Sequence, residues 1–300
     1  MAEQKFHIPV MLNEILSYLN LGPGKTIVDA TIGTAGHSIE IIKRILPGGK
    51  LVGIDRDGES LEVARDRLSD YKASCEFVHG NFCDIDNILT QLGVTKIDGI
   101  LFDLGISSFQ LDNPQRGFSF QQDGPLDMRL DRGSFISAYD LINNLTQDEI
   151  STLLWSFGEE RWHNRIARYL VKERESHPIS TTAQLSKIVL QATPSRYRYR
   201  HFRIHPATRT FQAVRIAVNR ELETLQLAID KVVGFLREGA RICVISFHSL
   251  EDRIVKLSFR KAAQERVVHL ITLKPERPLQ QELGSNPSSR SAKLRIAEKI

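Results

Sequence analysis

The run Thr26-Ile-Val-Asp-Ala-Thr-Ile-Gly-Thr-Ala-Gly-His37 constrains the fold more than any other stretch of this chain. A short apolar pair, Ile27-Val28, ends in Asp29 and is followed by a loop carrying Gly33 and Gly36. An amphipathic stretch then runs from His37 to Leu46, with Ile39, Ile42 and Leu46 on one face. Strand, loop and helix in that order open a doubly wound α/β nucleotide-binding fold. Glycine suits the loop because a ligand must approach backbone where a Cβ would collide. About twenty residues on, Leu51-Val-Gly-Ile54 ends in Asp55, where such folds carry an acid for a ribose hydroxyl.

The loop does not read G-x-G-x-x-G, so the dinucleotide fingerprint fails. A third acid, Asp103, closes the run Ile97-Asp-Gly-Ile-Leu-Phe-Asp103. Asp29, Asp55 and Asp103 are therefore expected at the carboxyl ends of three strands, facing one crevice. That crevice repels a pyrophosphate and attracts a cation such as S-adenosylmethionine, which carries a sulfonium and an ammonium. Any one of the aspartates also reads as a turn residue or helix cap. The three together favour the methyl donor.

A chain of 300 residues accommodates one large core plus an insertion, or two domains. Its 41% hydrophobic and 25% charged residues describe an ordinary globular protein. No apolar run reaches the roughly 18 residues of a membrane span, and residues 1–9 lack a signal-peptide core. No membrane partner is expected, and a cytoplasmic address is the default. Cys75, Cys83 and Cys243 form no C-x-x-C pair, which suits buried thiols in a reducing compartment. No metal site is expected. A net charge of +4 permits a nucleic-acid partner without requiring one.

A first helix is expected around Val10, Leu12, Ile15, Leu16 and Leu19, and a third strand over 75–79. Phe82, just past it, either stacks on an adenine or packs against its own domain. The alternation of strand and helix breaks after Ser108. Residues 110–131 form a long loop whose Arg116, Phe118, Phe120, Met128 and Arg129 argue for function over disorder. Helices follow, opened by the capping boxes Thr146-Gln-Asp-Glu149 and Thr181-Thr-Ala-Gln184, with another over 161–175. An all-helical insert thus spans 109–209, between sheet segments 1–108 and 210–300. It closes with Arg196-Tyr-Arg-Tyr-Arg-His-Phe-Arg-Ile-His205. Basic groups interleaved with Tyr197, Tyr199 and Phe202 suit phosphate contact plus base stacking; the alternative is a solvated basic loop. A single helix over 211–236, strands over 241–247 and 267–273, a linker over 275–289 and a last strand over 292–297 complete the pattern. Seven strands with a late pair match the layout of a Rossmann-like methyltransferase.

Several longer segments carry a resemblance. They include His7-x-Pro-Val-Met-x-x-Glu14, Asp29-Ala-Thr-x-Gly33-x-x-Gly-His-Ser38, Ile54-Asp-Arg-Asp57 and Asp103-Leu-Gly-Ile-Ser-Ser108. Others are Arg116-Gly-Phe-Ser-Phe120, Asp123-Gly-Pro-Leu-Asp-Met-Arg129 and His205-Pro-Ala-Thr-Arg-Thr-Phe-Gln212. Two more, Ile245-Ser-Phe-His-Ser-Leu-Glu-Asp-Arg253 and Asn286-Pro-x-x-Arg-Ser-Ala-Lys-Leu-Arg295, extend the match to the final strand. From end to end the chain resembles the bacterial 16S rRNA (cytosine-N4)-methyltransferase family. The resemblance implies a class I, Rossmann-like methyltransferase with a seven-stranded, mostly parallel sheet, interrupted by a helical RNA-recognition insert. It implies methyl transfer from S-adenosylmethionine to the exocyclic N4 of a cytosine in the decoding centre of 16S rRNA, within the small ribosomal subunit. By the family's pattern, Ala35, Gly36, His37, Asp55, Phe82, Asp103 and Gln110 hold the cofactor. Family members commonly have glycine at the position of Ala35; if the backbone there is left-handed, alanine is strained by roughly 1 kcal/mol or more.

Other amino-methyltransferases carry an Asp/Asn-Pro-Pro-aromatic motif after strand four, whereas this chain reads Asp103-Leu-Gly-Ile. Asp103 is expected to serve the cofactor, the amine, or both. Ser246, His248 and Ser249 follow strand five and are candidates for the cytosine side, with His248 a second catalytic candidate; its other reading is a helix cap. Rival functions are a same-fold methyltransferase on DNA or protein, an NAD-linked oxidoreductase, and a non-catalytic RNA-binding protein.

Overall fold

A computed structural model describes residues 8–195 and 205–300. The described chain divides into two compact units, one running to Gly105 and resuming at Leu222, the other Ile106–Glu221.

The first unit is a seven-stranded sheet in the order β3-β2-β1-β4-β5-β7-β6. Its strands are β1 Thr26–Asp29, β2 Lys50–Asp55, β3 Cys75–His79, β4 Ile97–Asp103, β5 Leu236–Ser246, β6 Val268–Leu270 and β7 Lys293–Lys299. Strands β1 to β5 pair in parallel. The last-formed strand, β7, runs antiparallel between β5 and β6. This is the class I methyltransferase sheet expected from the sequence. The central strands are near-continuous apolar runs because both faces are covered. Successive residues point to opposite faces. Val28, Ile100, Phe102 and Val244 pack with Ile88, Ile229 and Phe259 on one side. Ile27, Leu101, Cys243 and Ile245 pack with Ile15, Ile42 and Leu61 on the other.

Helix α1 Leu12–Tyr18 precedes β1, and α2 Gly36–Ile45, α3 Gly58–Arg67 and α4 Ile85–Gln91 connect the early strands. In α2 the buried face is centred on Ile41, Ile42 and Ile45, with Ile39 and Leu46 half-buried at its margins.

In the second unit, α5 Ser108–Leu111 is followed by α6 Ala138–Asn144, α7 Gln147–Gly158, α8 His163–Arg174, α9 Thr182–Ala192 and α10 Thr208–Asn219. The expected boxes Thr146/Glu149 and Thr181/Gln184 both form. The long loop is tied down by a buried cation: Arg116 is 1% exposed and its Nη2 donates to the carbonyls of Arg129 and Leu130.

The structure corrects two expectations. The helix expected over 211–236 is two helices, α10 and α11 Glu221–Val232, because Arg220 is left-handed at φ 50°. Asn219, buried just before that break, donates to the carbonyls of Met128 and Arg215 and accepts the Leu130 N–H. Strand β5 begins five residues earlier than the expected Arg241, since residues 237–240 form an irregularity in its pairing with β4 rather than a turn before it. Gly239, at φ 76°, supplies the conformation that such a bulge demands. Among the described residues no helix is long and apolar enough to cross a membrane.

Candidate functional site

Strands β2, β1 and β4 are neighbours, and each ends in an aspartate. Asp29 lies level with Gly53 and Leu101, so Asp55 and Asp103 stand two residues further along the flanking strands. The three carboxylates therefore share the carboxyl edge of the sheet, the usual ligand edge of an open α/β fold.

Asp29 is buried, accepts the Ser38 hydroxyl at 2.7 Å, and receives the Thr31 N–H at 3.3 Å. Asp55 accepts N–H groups from Gly33 at 2.7 Å and Asp57 at 2.9 Å. Burial outweighs these hydrogen bonds and pushes both carboxyls up to about 6. Asp103 is pushed further, to about 8, by burial first and then by the charges of Asp29 and Glu251. Its Oδ1 is shielded and has no hydrogen-bond partner among the described residues. Thr31 links the two strands: its hydroxyl accepts the Asp103 N–H at 2.7 Å.

His37 closes this corner. Its Nε2 lies 2.9 Å from the Val10 carbonyl, which can only accept, so the proton belongs on Nε2. The lone pair on Nδ1 then faces Asp103 Oδ2 at 3.6 Å. Burial holds the imidazole down at about 4, so at neutral pH His37 is uncharged and does not neutralise Asp103. Among the described residues, no lysine or arginine forms an ion pair with any of the three aspartates. A row of uncompensated acids, Asp29 buried and Asp55 and Asp103 half-buried, is complementary to a cationic guest and hostile to a pyrophosphate.

The loop between β1 and α2 holds the remaining close-approach residues. Gly33 is left-handed at φ 51°, and so is Ala35, at φ 65° and ψ 28°. Ala35 is fully buried at the N-cap of α2. A Cβ on Gly36 would stand 2.9 Å from Pro9 Cγ, so the loop packs tightly under the segment that leads into α1.

The other expected site residues fall in different places. Phe82 sits in a short turn after β3 and meets Phe102 edge-on at 5.7 Å, with its ring against the core of the first unit. Gln110 belongs to the second unit, where its side-chain oxygen accepts the Ser107 N–H in a capping box at the start of α5. His248 caps α12 Ser249–Gln264: Nδ1 accepts the Glu251 N–H at 3.3 Å. Its Nε2 lies 3.0 Å from Glu251 Oε1 without hydrogen-bond alignment. Both ring nitrogens thus face the first turn of their own helix. The Ser246 hydroxyl donates to the Lys293 carbonyl at 3.3 Å. The basic segment that closes the insert lies outside the described residues except for His205, which stacks on Phe120 at 4.5 Å.

Sequence reasoning did not single out Thr31, Ser38 or Glu251. Thr31 and Ser38 stand two and nine residues from Asp29, within the segment already notable for its glycines. Glu251 is 2% exposed and accepts the N–H groups of Phe247 and His248. Its spacing from His248 is that of a capping box, a signal available in the sequence.

Comparison with known proteins adds three findings. A family model described as the MraW methylase family matches residues 4–300. Ribosomal RNA small subunit methyltransferase H of Clostridioides difficile (strain 630) is 46% identical, over 98% of this chain and 99% of the relative. Proteins of the same name from Halothermothrix orenii and Geotalea uraniireducens are 46% and 47% identical, each over 98% of both chains.

Proposed function

The chain belongs to the MraW methylase family, and on that premise we propose that it methylates the exocyclic N4 of a cytosine in 16S rRNA of the small ribosomal subunit, using S-adenosylmethionine. The names of its relatives support an RNA substrate in that subunit. The observation that carries the choice of cofactor is the uncompensated row Asp55, Asp29, Asp103 on three adjacent strands.

S-adenosylmethionine supplies a methyl group on a sulfonium, an electrophile open to in-line attack. Asp103, half-buried and with no lysine or arginine paired to it among the described residues, is suited to receive a cationic hydrogen-bond donor. Asp55 is the ribose acid by its place at the end of β2. Ala35, Gly36 and His37 offer backbone at the start of α2, and Phe82 and Gln110 complete the set by the family's pattern.

The N4 lone pair of cytosine is delocalised into the ring, so the amine is a weak nucleophile that must shed a proton. Positioning two bound reactants supplies up to roughly 7–11 kcal/mol in well-oriented cases. A carboxylate within reach of the amine can accept that proton, and general base catalysis contributes about 10²–10⁴-fold. We assign this role to Asp103, since His248 Nδ1 is taken by the Glu251 N–H and the imidazole serves as the cap of its own helix. A paired or stacked cytosine hides its N4 edge, so the base is extruded for reaction. The helical insert, with its terminal basic segment, grips the RNA around it.

The test is to incubate small subunits from cells lacking this protein with labelled S-adenosylmethionine and to digest the RNA to nucleosides. Label in N4-methylcytidine is the expected result. Label in another nucleoside, in DNA or in ribosomal protein would replace the substrate assignment. Binding of adenine dinucleotides in place of S-adenosylmethionine would overturn the cofactor.

A further inference from the structure

Helix α8 of the second unit has a solvent face that the catalytic reading does not use. Ile166, Ala167 and Leu170 face its core. Arg165, Arg168 and Lys172, spaced i, i+3 and i+7, fall on one opposite stripe. Arg161, two residues before the helix, adds a fourth cation at its amino end. Among the described residues none of the four forms an ion pair. Elsewhere in the same unit arginines are matched, as Arg129 is with Asp127 and Arg215 with Glu221.

Two of these guanidiniums lie against aromatic rings. Arg161 stands 5.2 Å from the centre of the Trp162 ring and Arg165 5.6 Å from that of Tyr169. Stacking on a ring orients a guanidinium without consuming its hydrogen-bond donors. The Arg165 Nε is shielded and has no hydrogen-bond partner among the described residues. Trp155, on the neighbouring helix α7, is 58% exposed and lies 5.2 Å from the His163 ring, on the side of α8 that faces α7 and away from the basic stripe.

We propose that this ridge, Arg161, Arg165, Arg168 and Lys172, is a docking surface for the sugar-phosphate backbone of RNA. Unpaired cations held in a row match a polyanion by charge. From Arg165 to Lys172 the stripe extends roughly 10 Å along the helix at about 1.5 Å per residue, enough for more than one phosphate. The proposal rests on the RNA-methylating reading for the identity of the nucleic acid, and it places part of the grip on residues distant in sequence from the basic segment 196–205.

The test compares the full-length protein with the variant Arg165→Gln/Arg168→Gln/Lys172→Gln, which keeps good helix formers on the exposed stripe. A control, Lys256→Gln/Arg260→Gln/Lys261→Gln on α12, changes net charge equally. Binding of naked 16S rRNA is measured across a salt series. Each lost phosphate contact flattens the slope of log K against log salt by about 0.7, so the ridge variant should lose about 2, near 100-fold in affinity at about 0.1 M salt. The control should keep the wild-type slope, and S-adenosylmethionine affinity should be unchanged in all three proteins. A ridge variant with the wild-type slope overturns the proposal, as does a control that falls equally. A wild-type protein that binds RNA but leaves cytosine unmethylated would fail the functional reading while leaving the ridge standing.

Discussion

His37 Nδ1 faces Asp103 Oδ2 at 3.6 Å while His37 Nε2 is held by the Val10 carbonyl, so a neutral imidazole turns its lone pair toward a carboxyl group. A lone pair opposite a carboxylate is repulsive; opposite a protonated carboxyl it is not. This pairing suits the protonated acid in the ligand-free protein and leaves the anion to be stabilised by a cationic guest.

Replacing Asp103 by alanine is therefore expected to abolish methyl transfer in a folded protein. Asp103→Asn keeps the shape, loses the charge, and should weaken S-adenosylmethionine binding at least tenfold. Calorimetry and labelled-cofactor turnover measure the two effects. Wild-type turnover in either variant would remove Asp103 from the mechanism.

Stability should fall with rising pH in the ligand-free protein. Asp29, Asp55 and Asp103 all have folded values raised above the unfolded carboxyl, to about 6, 6 and 8. The folded state thus keeps protons that the unfolded chain has released, and their contribution is full below about pH 4 and lost as pH rises through 6 and 8. For Asp29 alone the loss is on the order of 3 kcal/mol. Carboxyls held low by ion pairs, such as Asp127 and Asp252, act in the opposite sense at pH values below this window. A cationic ligand should restore the loss, so the rise in Tm on adding S-adenosylmethionine should grow from pH 5 to pH 8. A constant increment would mean that the carboxylates do not receive the cation.

Ala35→Gly should be mildly stabilising. The left-handed backbone costs alanine roughly 1–2 kcal/mol, against about 0.8 for removing one buried methyl and some added chain entropy. Urea denaturation should register a gain below about 1 kcal/mol. A loss larger than that would show that the packing of this methyl outweighs the strain.

His248→Asn distinguishes a cap from a base. Asparagine retains a capping acceptor for the Glu251 N–H, so methyl transfer should stay within about threefold of wild type. A fall of 10² or more with unchanged Tm would restore His248 as a proton acceptor.

Asn219→Leu should destabilise the second unit by about 2–4 kcal/mol, because one buried amide satisfies two carbonyls and one N–H. Thermal unfolding checks this. A Tm within 2 °C of wild type would contradict it.

Where local chemistry decides structure, the sequence was readable. An apolar run ending in aspartate marked β1, β2 and β4, and serine or threonine three residues before glutamate or glutamine marked helix starts. The break at Arg220 was hidden because the apolar spacing of Val214, Val218, Leu225 and Ile229 runs through it; the partners that hold Asn219 lie some ninety residues away. The bulge in β5 looked like a turn because Glu238-Gly239 is turn chemistry in isolation. In the site, charge identified the acids, but the orientation of His37 and the unpartnered oxygen of Asp103 depend on backbone atoms that no side-chain pattern encodes.

Strand β7 lies between β5 and β6 although it follows both in the chain. During synthesis β5 therefore waits, its outer edge unpaired, until residues 293–299 emerge. A chain cut short before Lys293 would display the bare amides and carbonyls of the longest strand, an invitation to pair with another copy. Aggregation, rather than a soluble but inactive product, is what such truncations should yield.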